Sequence, residues 1–102
     1  MYDILITKIA EQDLDGIVVY LAGKLANPSA ASALLDKIEG CFSLLKSTPR
    51  MFNECVDTHL KNRRYRKALI DNYLLIFRID ENSRIVYVLR FFYGAQNYIK
   101  QL

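Results

Sequence analysis

The sequence is poor in the residues from which metal sites and disulfide frameworks are built. It contains one histidine (His59) and two cysteines (Cys41 and Cys55). These side chains form no CxxC pair and no other ligand spacing, so we expect no metal ion and no cofactor. Cys41 lies on an apolar stripe with helical spacing, which is typical of a small buried side chain and does not favour a disulfide.

Long hydrophobic segments are also absent. No apolar run in the sequence reaches the roughly 18 residues that a membrane-spanning helix needs. The first residues, MYDILITK, show no basic segment leading into a long apolar one. We therefore expect no secretory signal, no membrane partner and a cytoplasmic location.

The composition is that of a small globular domain. The chain has 102 residues, of which 52% are hydrophobic and 25% charged, so we expect one folded domain over residues 1–102 and exclude disorder. The net charge of +3 is unevenly spread: residues 1–58 carry five basic and eight acidic side chains (net −3), and residues 59–102 carry nine and three (net +6). A basic C-terminal half favours an anionic partner over ordinary solvated charge.

The first half of the chain has the pattern of a strand followed by two helices. Tyr2–Ile6 alternates as a strand does, and apolar residues then recur at helical spacing over Ile9–Leu25, with Thr7 as a suitable N-cap. Asn27-Pro28 predicts the start of a second helix, which ends at Ser47. The short link between them predicts an antiparallel helical hairpin.

The second half has the pattern of three strands. Apolar and β-branched residues dominate Ala68–Ile70, Leu74–Ile79 and Ile85–Phe92, with turns at Asp71-Asn72 and Asp80–Ser83. Residues 50–62 show no clear period and are interpreted as an irregular connection. The predicted fold is α+β: strand–helix–helix, then a three-stranded antiparallel meander. The first strand would join the edge of a four-stranded sheet, and the hairpin would cover one face.

The turn at Asp71-Asn72 sets which side chains share a face of this sheet. In a two-residue turn, Lys67 lies opposite Ile76. One face then holds Tyr65, Lys67, Leu69, Leu74, Ile76 and Arg78, and the more apolar face, assigned to the helices, holds Arg66, Ala68, Ile70, Tyr73, Leu75 and Phe77. We expect Lys67 to lie on an open face with Arg78, joined at the rim by Arg90 or Tyr93. The long side chain of Arg66 would reach the same rim.

A basic surface with tyrosines suits RNA, because cations contact phosphates and aromatic rings stack on unpaired bases. Metal-free cleavage through the 2′-hydroxyl needs a proton acceptor, a cation for the charged phosphorane and an acid for the leaving oxygen. Tyr93 could transfer a proton, Arg90 could stabilise the transition state, and Lys67 or Arg66 could neutralise the phosphate. The RNA-binding candidates are Lys61, Arg63, Arg64 and Arg78. Alternatively, Tyr93 only caps the core and Arg78 is an ordinary solvated residue.

Several segments together resemble one protein family. YRKALIDNYLLIFRID (residues 65–80), followed by VYVLRFFYGAQNY (residues 86–98), resembles the RelE/ParE superfamily of toxins from bacterial type II toxin–antitoxin systems. ITKIAEQDLDGIVVYLAGKLANPSAASALLDKI (residues 6–38) is similar to the first strand and helical hairpin of those proteins. The resemblance covers nearly the whole chain. It implies the fold described above and a cognate antitoxin that binds with an acidic or amphipathic segment.

The resemblance implies one of two activities. RelE-like members are ribosome-dependent endonucleases that cut messenger RNA in the A site, whereas ParE-like members poison DNA gyrase and have no known hydrolytic site. LRFFY is similar to the closing strand of RNA-cleaving members, which favours Arg90 and Tyr93 as site residues. Against this, Leu74 stands where many of those members carry a catalytic arginine, and Phe92 where some carry a histidine. We expect messenger RNA cleavage on the ribosome, with gyrase poisoning as the alternative.

Overall fold

The computed structural model of the protein describes residues 1–55, 63–94 and 102, which form one mixed α+β arrangement. In chain order the elements are β1 (Asp3–Ile6), α1 (Lys8–Val19), a π-helical segment (Tyr20–Lys24), α2 (Pro28–Ser47), a 3-10 turn (Pro49–Met51), β2 (Arg66–Ile70), β3 (Tyr73–Asp80) and β4 (Ile85–Tyr93).

The four strands form one sheet in the order β1-β4-β3-β2. β2, β3 and β4 are an antiparallel meander, and β1 lies at the edge, where it pairs in parallel with β4. A parallel pair requires a long crossover, and the chain supplies it with α1, α2 and two strands of the meander. The predicted fold class is confirmed.

The helix ends follow the predicted caps. The Thr7 hydroxyl oxygen accepts the backbone N–H of Ala10, and the Asn27 side chain accepts that of Ala30, with Pro28 as the first residue of α2. The first predicted helix has the expected extent, but its last five residues, Tyr20–Lys24, widen into a π-helix. Such segments occur frequently at functional sites.

The main core lies between the helices and one face of the sheet. Its helical side includes Ala10, Leu34, Ile38 and Leu45, and its sheet side includes Ala68, Ile70, Leu75, Phe77, Val86 and Val88. The turn at Asp71-Asn72 has two residues and the predicted register, with Lys67 opposite Ile76. Asp71 has a φ of 53°, the left-handed conformation that aspartate tolerates in tight turns. The face predicted for the helices is therefore confirmed.

The other face is less open than the sequence predicts. Ile76 and Phe92 on this face are 0% and 2% exposed and form a second, smaller core with Cys55, which is 1% exposed. The chain reaches this position because Glu54 forms a bridge with Arg66 and the Cys55 N–H donates to the Tyr65 carbonyl. The expectation of an open face is therefore wrong for its centre.

A hydrogen-bonded cluster joins the N-terminus to the β3–β4 turn. The Tyr2 hydroxyl donates to Oε1 of Glu81 at 2.7 Å, and Nη2 of Arg50 donates to the same oxygen at 2.7 Å. The Arg84 guanidinium stacks over the Tyr2 ring at 4.1 Å. The bonds from Tyr2 and Arg50 hold the pKa of Glu81 below its ordinary value of 4.5.

Replacing Tyr2 with phenylalanine should lower the free energy of unfolding at pH 7 by about 0.5–1.5 kcal/mol, the typical net contribution of one hydrogen bond. The lowered pKa of Glu81 means that this stabilisation is present above the unfolded pKa and is lost as the pH falls through the folded one. Urea unfolding at pH 7 and pH 3 measures both effects. Tyr87→Phe is the control, because the Tyr87 hydroxyl has no hydrogen bond among the described residues. A Tyr2→Phe effect that persists undiminished at pH 3 would contradict this account.

Candidate functional site

Arg90 lies at an irregularity in β4. Ile76 pairs with Arg90 and the next residue, Phe77, pairs with Val88, so Leu89 is an extra residue in the strand. Such a bulge re-aims neighbouring side chains. The Arg90 side chain reaches α1, where its Nε lies 2.7 Å from Oδ2 of Asp13 and its Nη2 lies 3.1 Å from Oδ1.

Asp13 can hold Arg90 because β1 stops before this part of β4. The last β1 pair is Ile6 with Val88, and beyond it α1 covers the strand edge. The Thr7 hydroxyl donates to the Leu89 carbonyl at 3.0 Å, and the Phe91 N–H donates to Asp13 Oδ2 at 3.1 Å. The Asp13 carboxylate thus caps the strand edge and pairs with the guanidinium.

The pair is largely withdrawn from solvent. The Arg90 side chain is 20% exposed and that of Asp13 is 18% exposed. The guanidinium also lies 4.6 Å from the centroid of the Phe92 ring. The sequence analysis does not single out Asp13. The available signal was its spacing, because Asp13 lies four residues before Ile17 on the apolar side of α1.

Tyr93 lies at the end of β4, opposite Tyr73, with the two rings edge to face at 5.6 Å between centroids. It is 47% exposed. Burial, followed by the neighbouring Tyr93, Tyr20 and Asp71, raises the pKa of Tyr73, so its phenol stays protonated at neutral pH. A Cβ at Gly94 would lie 2.8 Å from the Asn72 carbonyl oxygen, so glycine allows the close approach that holds Tyr93 in this position.

An apolar groove of about 820 Å³ connects these residues. We call it the aromatic groove. Its lining residues are Asp13, Gly16, Ile17, Tyr20, Leu21 and Leu25 on the helical side, and Tyr73 and Arg90–Tyr93 on the sheet side. The neutralised Asp13–Arg90 pair lies in an otherwise aliphatic and aromatic wall, which suits an apolar ligand surface with few polar contacts.

The other predicted site residues lie elsewhere. Arg66 is occupied at the start of β2, where Nη1 donates to the Phe52 carbonyl at 2.6 Å and Nη2 lies 3.3 Å from Glu54 Oε1. Arg78 lies on the opposite face from Tyr93, with its guanidinium 4.2 Å from the centroid of the Tyr87 ring.

Four further candidates complete the set. Arg64 is exposed and lies in the turn before β2. Lys67 shares the face of Arg78, because it pairs with Ile76. Arg63 donates to the carbonyl of Leu102 at 3.3 Å. Lys61 lies outside the described residues. Of the two residues predicted to join Lys67 and Arg78, Tyr93 does not, because it packs with Tyr73 on the helical face. Arg90 does share the face of Lys67, because both residues pair with Ile76.

Neither cysteine forms a disulfide, and both are buried. Burial raises the pKa of the Cys41 thiol to about 11, so it is protonated at neutral pH. Within the ranges that the structure covers, no group of three or more His, Cys, Asp or Glu side chains could hold a metal ion. The described helices include none that is long and apolar enough to span a membrane.

Comparison with known proteins places these features in context. The family model described as "ParE toxin of type II toxin-antitoxin system, parDE" matches residues 4–98. No curated protein sequence matches significantly.

Two solved structures show the same fold. One is a chain of the chromosomal ParDE toxin–antitoxin system from P. aeruginosa, with 18% identity, a TM-score of 0.68, and coverage of 89% of this chain and 94% of that one. The other belongs to the RelBE2 toxin–antitoxin complex from Mycobacterium tuberculosis, with 21% identity, a TM-score of 0.61, and coverage of 90% and 96%.

Proposed function

This chain belongs to the ParE toxin family of type II toxin–antitoxin systems, and from that premise we propose that it arrests growth by binding its target without cleaving RNA. The target we propose is DNA gyrase, which the resemblance implies for ParE-like members. Gyrase acts on DNA in the cytoplasm, so the toxin would act there too. This reverses the order of preference that the sequence motifs favour, and the reason is the environment of Arg90.

The observation that carries the proposal is the bidentate contact between Arg90 and Asp13. A cation that stabilises a phosphorane must aim its N–H groups at the position where negative charge develops. In Arg90 the Nε and Nη2 groups already donate to the Asp13 carboxylate, at 2.7 and 3.1 Å. A phosphate approaching this guanidinium would have to displace a carboxylate of its own sign.

The separation of the remaining candidates gives further support. General acid–base catalysis requires the proton-transferring group to lie within hydrogen-bond reach of the reacting atoms. Tyr93 lies on the helical face beside Tyr73, whereas Lys67 and Arg78 lie on the other face. Leu74, where many RNA-cleaving members carry an arginine, is an apolar residue packed against the smaller core.

The two mechanisms differ in what fails first in a cell. Induced expression of the toxin should raise DNA-damage signalling while protein synthesis continues for the first minutes. Purified toxin should inhibit gyrase supercoiling, or trap cleaved DNA, in a reaction without ribosomes. The proposal fails if protein synthesis stops within minutes while DNA stays intact, and primer extension finds new 3′ ends in A-site codons.

The Tyr93 hydroxyl should matter little for toxicity. In a toxin that acts by binding, we expect Tyr93→Phe to change growth inhibition by less than about tenfold, the equivalent of one neutral hydrogen bond. A phenol that transfers a proton would instead account for about 100- to 10,000-fold. Tyr20→Phe, in the same tyrosine cluster, is the matched control. Dose–response growth curves with equal protein levels measure the effect, and a selective loss in Tyr93→Phe would favour the nuclease.

We further infer that a cognate antitoxin neutralises the toxin by filling the aromatic groove. The two solved structures described above come from toxin–antitoxin systems. The groove offers an apolar wall with exposed rims at Tyr20 (49%), Leu25 (52%) and Tyr93 (47%). An amphipathic segment of the antitoxin would bury these rims with its apolar side, as helices do when they bind in grooves.

A further inference from the structure

A second recess, of about 770 Å³, lies at the far end of β3 from the aromatic groove. Its lining residues are Arg50, Glu54, Arg64, Arg66, Arg78, Ile79, Asp80, Glu81 and Asn82. We call it the arginine recess. Tyr73 begins β3 in the groove and Asp80 ends it in the recess, so the eight-residue strand separates the two sites by about 23 Å.

The ion pairs of the recess leave two arginines available. Arg50 binds Glu81 at 2.7 Å and Arg66 binds Glu54 at 3.3 Å, so these four charges are neutralised in pairs. Arg64 and Arg78 form no ion pair within 4.0 Å among residues 1–55, 63–94 and 102.

The remaining acid of the recess has a structural role. Asp80 Oδ1 accepts the backbone N–H groups of Asn82 and Ser83, at 3.1 and 3.3 Å, and so closes the β3–β4 turn. These bonds, of which those from Ser83 matter most, lower the pKa of Asp80, so it stays ionised. The negative charge of Asp80 would weaken the attraction of Arg78 for an anion. The Asp80 carboxylate nevertheless forms no ion pair with the Arg78 guanidinium, which can still bind a ligand.

Arg78 is held in a fixed orientation. Its guanidinium stacks on the Tyr87 ring at 4.2 Å, which supports one plane of the group and leaves its N–H edge for a ligand. Arg64 is exposed and sits in a turn with a φ of 59°, a left-handed conformation that is uncommon for a residue other than glycine. Lys67 adds a third positive charge on the face of Arg78.

We propose that the arginine recess binds the phosphodiester backbone of a nucleic acid through Arg64 and Arg78. Guanidinium groups bind phosphate oxygens in bidentate fashion, and the Arg78–Tyr87 stack offers an aromatic surface beside them. The site is separate from the Asp13–Arg90 pair and from the aromatic groove. It depends on the proposed function in one respect only: a gyrase-directed toxin would meet these phosphates on duplex DNA, and a ribosome-directed one on RNA.

The test is fluorescence anisotropy of the purified full chain with two labelled probes of equal length, a DNA duplex and a single-stranded RNA, over a range of salt concentrations. Arg78→Gln and Arg64→Gln should each weaken binding about three- to tenfold and reduce the salt slope by about one. Asp80→Asn, which keeps the turn's acceptor oxygen, should strengthen binding about two- to fivefold. Lys46→Gln, which removes a charge from the exposed end of α2, is the matched control. Circular dichroism melting checks that each variant is folded.

The probe that binds more tightly identifies the source of the phosphates, and either preference supports the site. The inference is overturned if Lys46→Gln weakens binding as much as Arg78→Gln, or if neither probe binds. It is also overturned if a polyglutamate peptide competes as well as the nucleic acid, because the recess would then recognise negative charge alone. None of these results bears on growth inhibition or gyrase inhibition, so the proposed function would stand or fall separately.

Discussion

Replacing Asp13 with alanine should lower the free energy of unfolding by about 2–4 kcal/mol. The change removes the bidentate partner of Arg90 and the acceptor of the Phe91 N–H together. Removing one member of a fully buried pair typically costs about 3–5 kcal/mol, and losing the acceptor of a buried N–H about 1–3 kcal/mol. The two ranges add to about 4–8 kcal/mol. Because both side chains of the pair keep about one-fifth of their exposure and are partly solvated, we expect about half of that sum.

Urea unfolding of the purified chain measures this effect. Asp15→Ala is the matched control, since it removes an exposed acid two residues away on α1 and should change stability by less than about 0.5 kcal/mol. Asp13→Asn should fall between the two, because it keeps an oxygen for the Phe91 N–H but loses the charge. If Asp13→Ala were no more destabilising than Asp15→Ala, the pair would not hold Arg90 in solution and the main support for a binding toxin would be lost.

The local chemistry of the chain was sufficient to predict most of the fold. Thr7 and Asn27-Pro28 mark the starts of both helices, because capping depends on neighbouring residues alone. The two-residue turn at Asp71-Asn72 sets the register of β2 and β3, and with it the face that packs on the helices.

The geometry of the site depends on contacts that are distant in sequence, and local patterns do not specify them. The extra residue Leu89 in β4 cannot be recognised in IVYVLRFFY, where apolar side chains occupy both faces. The orientation of Arg90 follows from the end of β1 at Ile6 and the position of Asp13 on α1, 77 residues earlier in the chain. Similarly, Cys55 covers the second face through a bridge at Glu54, in a segment without any periodicity.

Filling the aromatic groove from within should separate toxicity from neutralisation. Gly16 lines the groove in the middle of α1, and a Cβ there would meet no atom within 4 Å. Gly16→Phe therefore adds a ring to the groove without removing any native contact, and it replaces a poor helix former. We expect the variant to be folded and toxic, with stability within about 1 kcal/mol of the parent.

Antitoxin binding to Gly16→Phe should weaken about 10- to 100-fold, because a large side chain forced into a packed interface typically costs about 1–3 kcal/mol. Gly40→Phe is the matched control: Gly40 is an equally open glycine on α2 and does not line the groove. Calorimetric titration with the cognate antitoxin measures affinity, and co-expression of the two proteins measures rescue of growth. If both variants bound the antitoxin like the parent, the antitoxin would not occupy the groove. If both lost binding equally, the effect would come from the helices in general and not from this site. Loss confined to Gly16→Phe, with toxicity retained, would assign the groove to the antitoxin.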